Sequence, residues 1–285
     1  STDDRLEHIG GNDMRISLST QTDIYKHKNF KHPETAGGKK LVVFAEHEHG
    51  GGAYMAVNGI IGDAEPVATV LSSLMYEQVF NILPQIEDMG WKIYLVDDVW
   101  YLALSTWMPT GLSPDDSTKT WIYTYPVMRD IIDWFKESCW VNEVIFVGTT
   151  KIHDNLPDFE QLSNKRIYKW DWVSMGGSRK EFFLAPPAYL TCQISKLIGI
   201  QYVNMFLTGC DSEDSVDVVG GKTLAKHLCK YLDIDFDKAE FESARDYIEG
   251  VHRRADEAID MARDALAKAH SKSKHTESNN PMLWG

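Results

Sequence analysis

The sequence predicts an α/β domain with a largely parallel sheet flanked by helices. Three observations lead there. Short apolar runs of the buried-strand kind recur from Leu41 onward. Longer segments with helical periodicity alternate with them, the order expected of strands joined by crossover helices. The chain of 285 residues is also long enough to bury a sizeable core.

The elements follow in order. Residues 1–40 form a polar arm rich in His, Lys, Thr and Asn, in which Met14 to Leu18 alternates like an edge strand, and Gly37-Gly38-Lys39-Lys40 closes it. Leu41 to Ala45 reads as a buried strand. Glu65 to Met89 reads as a helix, with Pro66 in its first turn, Pro84 interrupting it and Gly90 past its end. Lys92 to Val96 and Tyr101 to Ser105 are strands, and Thr110 to Asp116 is a loop by composition. Tyr125 to Cys139 is amphipathic, with Val127, Ile131, Trp134 and Phe135 on one face. Glu143 to Gly148 is the next strand, and Ile167 to Trp172 and Glu181 to Leu184 are weaker ones. A helix over Tyr189 to Ile198 stops at Gly199. A strand over Gln201 to Leu207 and a helix over Val218 to Leu232 complete a core domain spanning 41–235.

The last part of the chain is organised differently. A helix is expected over 236–270, with Asp237 as N-cap and Glu240 three residues on, a capping-box spacing. Phe241, Ala244, Ile248, Val251, Ala255, Ala258, Ala262 and Ala265 step alternately by three and four, a heptad seam. Either a partner helix covers this seam, making a homo-oligomer, or the helix packs on its own domain. Residues 271–285 read as a flexible docking tail: a polar run, then Pro281-Met282-Leu283-Trp284-Gly285. Trp284 is the natural anchor, Leu283 the second contact and the Gly285 carboxylate the charge partner, because a large ring buries area and a carboxylate pairs with a lysine.

Composition narrows the classes of function. A formal net charge of −13 repels phosphate backbones and anionic lipid, so neither nucleic acid nor membrane is an expected partner. No apolar run approaches the roughly 18 residues that span a bilayer. The opening residues carry no targeting signature, and the expected location is cytoplasmic. Cys139, Cys192, Cys210 and Cys229 are widely spaced without a C-x-x-C pair, which suits a reducing compartment and free thiols.

Chemical motifs are weak. His47 and His49 in Glu46-His47-Glu48-His49-Gly50-Gly51-Gly52 stand two apart, so on a strand both face one side and can share a metal. The spacing matches no established zinc pattern, and the glycines suit a tight turn or a mobile loop. Gly220-Gly221-Lys222-Thr223 resembles the end of a phosphate-binding loop, but the required earlier glycine is Val216, and the preceding stretch is acidic. Asp115 with Asp116, and Glu213 with Asp214 and Asp217, fit the acidic preference of helix starts. No G-x-S-x-G elbow occurs, and none of the ten His residues stands in a triad context. The expectation is no catalytic residue, no metal and no cofactor. Seven of the nine Trp residues fall between Trp100 and Trp172, suited to core packing or an interface.

Two blocks carry a family likeness. Arg129 to Phe135 followed by Val141 to Gly148 resembles the helix-to-strand step of the proteasome-assembly-chaperone family. Gly199 to Thr208, Asp217 to Leu224, Leu232 to Asp235 and Phe241-Glu242 resemble that family's closing block. The turn after the first core strand departs from the family's glycine pattern. The resemblance implies an α/β fold similar to the purine nucleoside phosphorylases, proteasome α-subunits as partners, and assembly or docking without catalysis. It also lends meaning to Leu283-Trp284-Gly285, since proteasome partners often end in a hydrophobic–tyrosine–any tripeptide. The alternative is a hydrolase or nucleoside-processing enzyme on the phosphorylase-like fold, with His47 and His49 at its site.

Overall fold

A computed structural model describes residues 14–20, 22–33, 40–46, 51–72, 91–104, 117–151, 160–163, 186–210, 217–246 and 249–250, with separate positions from there to 271. The strands are β1 (Met14–Ser17), β2 (Thr22–Lys26), β3 (Leu41–Glu46), β4 (Ala68–Ser72), β5 (Trp91–Val96), β6 (Val99–Leu104), β7 (Glu143–Lys151), β8 (Glu160–Ser163) and β9 (Tyr202–Cys210). Among the described residues the helices are α1 (Gly52–Ile61), α2 (Ser117–Cys139), α3 (Pro186–Ile198) and α4 (Val218–Leu232), and a 3-10 turn, Phe236–Lys238, follows α4.

The nine strands among the described residues form one sheet in the order β1-β2-β4-β5-β6-β3-β7-β9-β8. The expected parallel arrangement holds only at its centre. The β6–β3, β3–β7 and β7–β9 pairings are parallel. The other five are antiparallel, so the sheet is mixed. The antiparallel wing is made by short connections. Asp97 and Asp98, both with positive φ, close β5 onto β6 as a two-residue hairpin. A second tight turn leads from β1 to β2, where the Leu18 amide donates to the Thr22 carbonyl at 2.8 Å. Residues before Leu41 therefore supply two strands of the main sheet, with β1 at its edge.

The helix expected over Glu65 to Met89 is not one at its start. Ala68–Ser72 is β4, hydrogen-bonded between β2 and β5. Val67, Ala68 and Val70 are buried there, and the Val67 amide donates to the Ile93 carbonyl at 2.8 Å. Pairing on both sides overrides the helical spacing, because the apolar residues of this segment suit either period. Residues 73–90 lie outside the described set, as do the loop 110–116 and the weaker strands 167–172 and 181–184.

A second difference concerns the glycines after β3. Gly51 does make a tight turn, at φ 68°, but a helix starts at once behind it. Eight of the ten residues of α1 are buried, so no polar stripe marks it in the sequence.

The two faces of the sheet carry different layers. Val42, Phe44, Trp100, Leu102, Val144, Phe146, Val203 and Met205 form one core with Val127, Ile131, Trp134 and Phe135 of α2 and Cys192 and Ile194 of α3. Val43, Ala45, Tyr101, Ile145, Val147 and Phe206 face the other way, onto Ala53, Ala56 and Val57 of α1 and Leu224, Ala225 and Leu228 of α4. Each central strand alternates between the two, as a doubly covered strand must. α4 starts where the Asp217 carboxylate accepts from the Gly220 amide at 2.8 Å, and ends at Asp233 in the left-handed conformation. No helix among the described residues is long and apolar enough to cross a membrane.

Candidate functional site

The residues singled out by sequence fall unevenly. Leu283, Trp284 and Gly285 lie outside the described residues, as do His47 and His49 and, in the seam, Ile248, Val251, Ala255, Ala258 and Ala262. No group of three or more His, Cys, Asp or Glu side chains capable of holding a metal occurs among the described residues. The chain leaves the carboxyl edge of the central strands after β3, β6, β7 and β9, the edge at which open α/β sheets place ligands.

Phe241 and Ala244, the first two residues of the seam, are described, and both pack within their own domain. The helix expected from Asp237 begins instead at Phe241, because Asp235 caps the preceding 3-10 turn by accepting from the Asp237 amide. The Glu240 amide donates to the Gly59 carbonyl of α1 at 3.0 Å. Phe241 lies against Gly59 so closely that a Cβ there would stand 2.8 Å from its ring. Phe236 lies 5.7 Å away between centroids, and the Lys222 ammonium sits 5.8 Å over the Phe241 ring. Ala244 is buried with Tyr54 and Met55. Beyond this root, every described position from 253 to 271 is helical and exposed.

The root is therefore a small hydrophobic clasp between α1, α4 and the terminal segment. Phe241→Ala removes its ring from that clasp. The expected result is at least about tenfold faster amide exchange over 242–246, with the exchange of β3 and β7 unchanged, since local opening is governed by local contacts. Hydrogen-exchange mass spectrometry reads both regions in one experiment.

On the opposite face of the sheet, α2 and α3 frame a hollow of about 760 Å³ with the β1–β2 turn. Leu18, Pro126, Ile194, Leu197 and Ile198 supply its apolar lining; Ser19, Thr20, Arg129, Asp130 and Asp133 supply its polar lining. The Asp130 carboxylate is engaged: Ser19 and Thr22 hydroxyls each donate to it at 2.7 Å. The two helices are tied together where the Lys136 ammonium donates to the Ile198 carbonyl at 3.0 Å, and Gly199, at φ 87°, ends α3 beside it. Helical spacing in the sequence marks the buried stripe of α2 and passes over these exposed positions, so the hollow was not legible there.

A third cluster lies near the amino ends of the parallel strands. Glu143 is fully buried. The Tyr231 hydroxyl donates to its carboxylate, and the Asn204 amide donates to the same oxygen at 2.9 Å. Burial holds the Tyr231 hydroxyl above its ordinary pKa, and its bond with Asn204 works the other way. The thiols are similarly quiet. Burial pushes Cys139 up to about 12 and Cys229 up to about 11, so both stay protonated at neutral pH and neither is a ready nucleophile or metal ligand. Cys139, Cys192 and Cys229 are free and buried.

No family model matches the chain, and no curated protein matches its sequence. Solved structures do match its fold. PbaB of Pyrococcus furiosus, described as an archaeal proteasome activator, superposes with a TM-score of 0.52 at 16% identity, over 84% of this chain and 100% of its own. PbaA of Pyrococcus furiosus, described as an archaeal homolog of proteasome-assembly chaperone, matches with a TM-score of 0.49 at 13% identity, over 86% and 99%. A PAC2 family protein from Streptomyces avermitilis matches with a TM-score of 0.46 at 13% identity, over 78% and 99%. With PbaB the chain shares an α/β architecture across the whole length of that protein.

Proposed function

We propose that this chain is a non-enzymatic proteasome-associated protein that docks onto proteasome α-subunits through Leu283, Trp284 and Gly285. The observation that carries this reading is the fold shared with an archaeal proteasome activator, which the chain covers completely. Three further features fit. The terminal segment is clasped to the core at Phe241 and Ala244, and its described positions beyond are exposed, an arrangement suited to presenting a docking segment away from the domain. The buried thiols are protonated, and the surface charge is wrong for nucleic acid. The tail offers an indole, the side chain that most often dominates a binding interface.

Because Phe241 and Ala244 are spent inside the subunit, self-association along the seam would run from Ile248 through Val251, Ala255, Ala258 and Ala262. Several tails on one assembly would then gain avidity without stronger individual contacts. The test is capture of purified α-subunits by the full chain, by a chain cut after His270, and by Trp284→Ala. We expect the cut chain to lose capture and Trp284→Ala to weaken it by at least about thirtyfold, a hot-spot effect of about 2 kcal/mol. Equal retention by all three would remove the tail from the account.

A further inference from the structure

We propose that the α2/α3 face is a two-fold self-association surface, in which Arg129 of one copy meets Asp133 of another around a core made by Leu197. The inference is independent of the tail and of the terminal seam. Leu197 is 76% exposed, the second most exposed of the large hydrophobic side chains among the described residues. It stands on the wall of the hollow between α2 and α3. An aliphatic side chain held in water beside a depression that Leu18, Pro126, Ile194 and Ile198 line in part, among polar groups, has the shape of a knob next to a hole. A second copy, rotated by a two-fold axis, offers its own knob to that hole and receives the first in return.

The charges choose the occupant. Three ionisable side chains line the hollow: Arg129, Asp130 and Asp133. Asp130 is already held by the Ser19 and Thr22 hydroxyls, which turns its charge inward to the β1–β2 turn. Arg129 and Asp133 are exposed, and neither forms a hydrogen bond or ion pair among the described residues. Their order along α2 also disfavours pairing with each other, since an acid placed four residues after a base opposes the helix dipole. What remains is one cation and one anion, one helical turn apart, flanking an exposed leucine. A basic partner would meet the guanidinium, and an acidic one the carboxylate. A second copy satisfies both, because two-fold symmetry sets residue i against j′ and j against i′. The Lys136–Ile198 hydrogen bond ties the two walls of the hollow together.

The test is the mass of the full chain in solution, by light scattering coupled to size exclusion at matched concentrations. Wild type, Leu197→Glu, Asp133→Arg, Arg129→Asp and the double swap Arg129→Asp/Asp133→Arg are compared, with thermal melting to confirm folding. Wild type is expected to be an assembly. Leu197→Glu and each single reversal are expected to lower it to a smaller species of half the mass, because like charges then face each other across the axis. The double swap restores opposite charges and is expected to return the wild-type mass. Three results overturn the proposal: a monomeric wild type, single variants that keep the wild-type mass, or a double swap that stays dissociated. Assembly through the terminal seam alone would leave every one of these variants at the wild-type mass. Because either single reversal reads the pairing, misfolding of one leaves the other to decide.

Discussion

Replacing Gly221 by valine is expected to lower the midpoint of thermal unfolding by on the order of 2–5 °C. Gly221 is buried in the first turn of α4, where that helix crosses α1. A Cβ at this position would lie 2.9 Å from the Met55 Cβ, 3.0 Å from its Cγ and 3.1 Å from the Gly52 carbonyl oxygen. The Gly52 oxygen belongs to the backbone and the Met55 Cβ sits one bond from it, so rotating the Met55 side chain moves only its Cγ and leaves the other two contacts in place. The two helices must separate, and α1 is buried on nearly every side. Removing a glycine from a helix returns about 1 kcal/mol of propensity. Overpacking costs about 1–3 kcal/mol and often more for a branched side chain, so the clash wins. Calorimetry on Gly221→Ala, Gly221→Val and Gly250→Ala checks the argument. Gly250 has nothing within 4 Å of a built Cβ, so its alanine variant isolates the propensity gain. If Gly221→Val melts with wild type, the close approach of α1 and α4 is wrong.

The second large effect is expected at Glu143. Truncation to alanine strands the donors that now end on its carboxylate, the Tyr231 hydroxyl and the Asn204 amide. Tyr231 is tied into this site by its ring as well, which stands 5.5 Å from that of Phe206. Losing the acceptor in a buried site and leaving two donors unmatched costs about 3 kcal/mol. Glu143→Gln keeps a carbonyl oxygen for the same donors and exchanges the second oxygen for an amide nitrogen, so it should cost about half as much. Urea unfolding gives both values at unchanged m. A cycle with Tyr231→Phe should return a coupling of about 1–2 kcal/mol, because the two residues share one hydrogen bond. Additive effects would show that Glu143 is held by its other contacts instead. The sequence alone places Glu143 at the start of a strand, with no sign that it is the most deeply buried acid described.

Much of the architecture was legible for a simple reason. α4 runs over Val218–Leu232, the span its periodicity indicates, and Gly199 ends α3 as a glycine in the left-handed region should. Those signals are local: a cap, a repeat, a turn. The exceptions are segments whose fate depends on a distant neighbour. Ala68–Ser72 became a strand because β2 and β5 bracket it, and β2 itself lies in a stretch that reads as a polar arm. α1 hid behind three glycines because a helix covered on all sides has no polar stripe to announce it. The mixed character of the sheet was hidden for the same reason, since a strand's direction is set by its partner.

The site divides along the same line. Composition and spacing alone single out the aromatic tail, the alanine seam, the imidazole pair and the absence of a catalytic motif, because each is a property of neighbours in the chain. Only the tertiary structure joins Phe241 to Gly59, turns Asp130 toward Ser19 and Thr22, and leaves Arg129, Asp133 and Leu197 around one hollow. Those groups come from elements as distant in the chain as Gly59 and Phe241, and burial is decided by what a side chain meets across space. Order along the chain carries periodicity; it carries no record of which face a distant helix will cover.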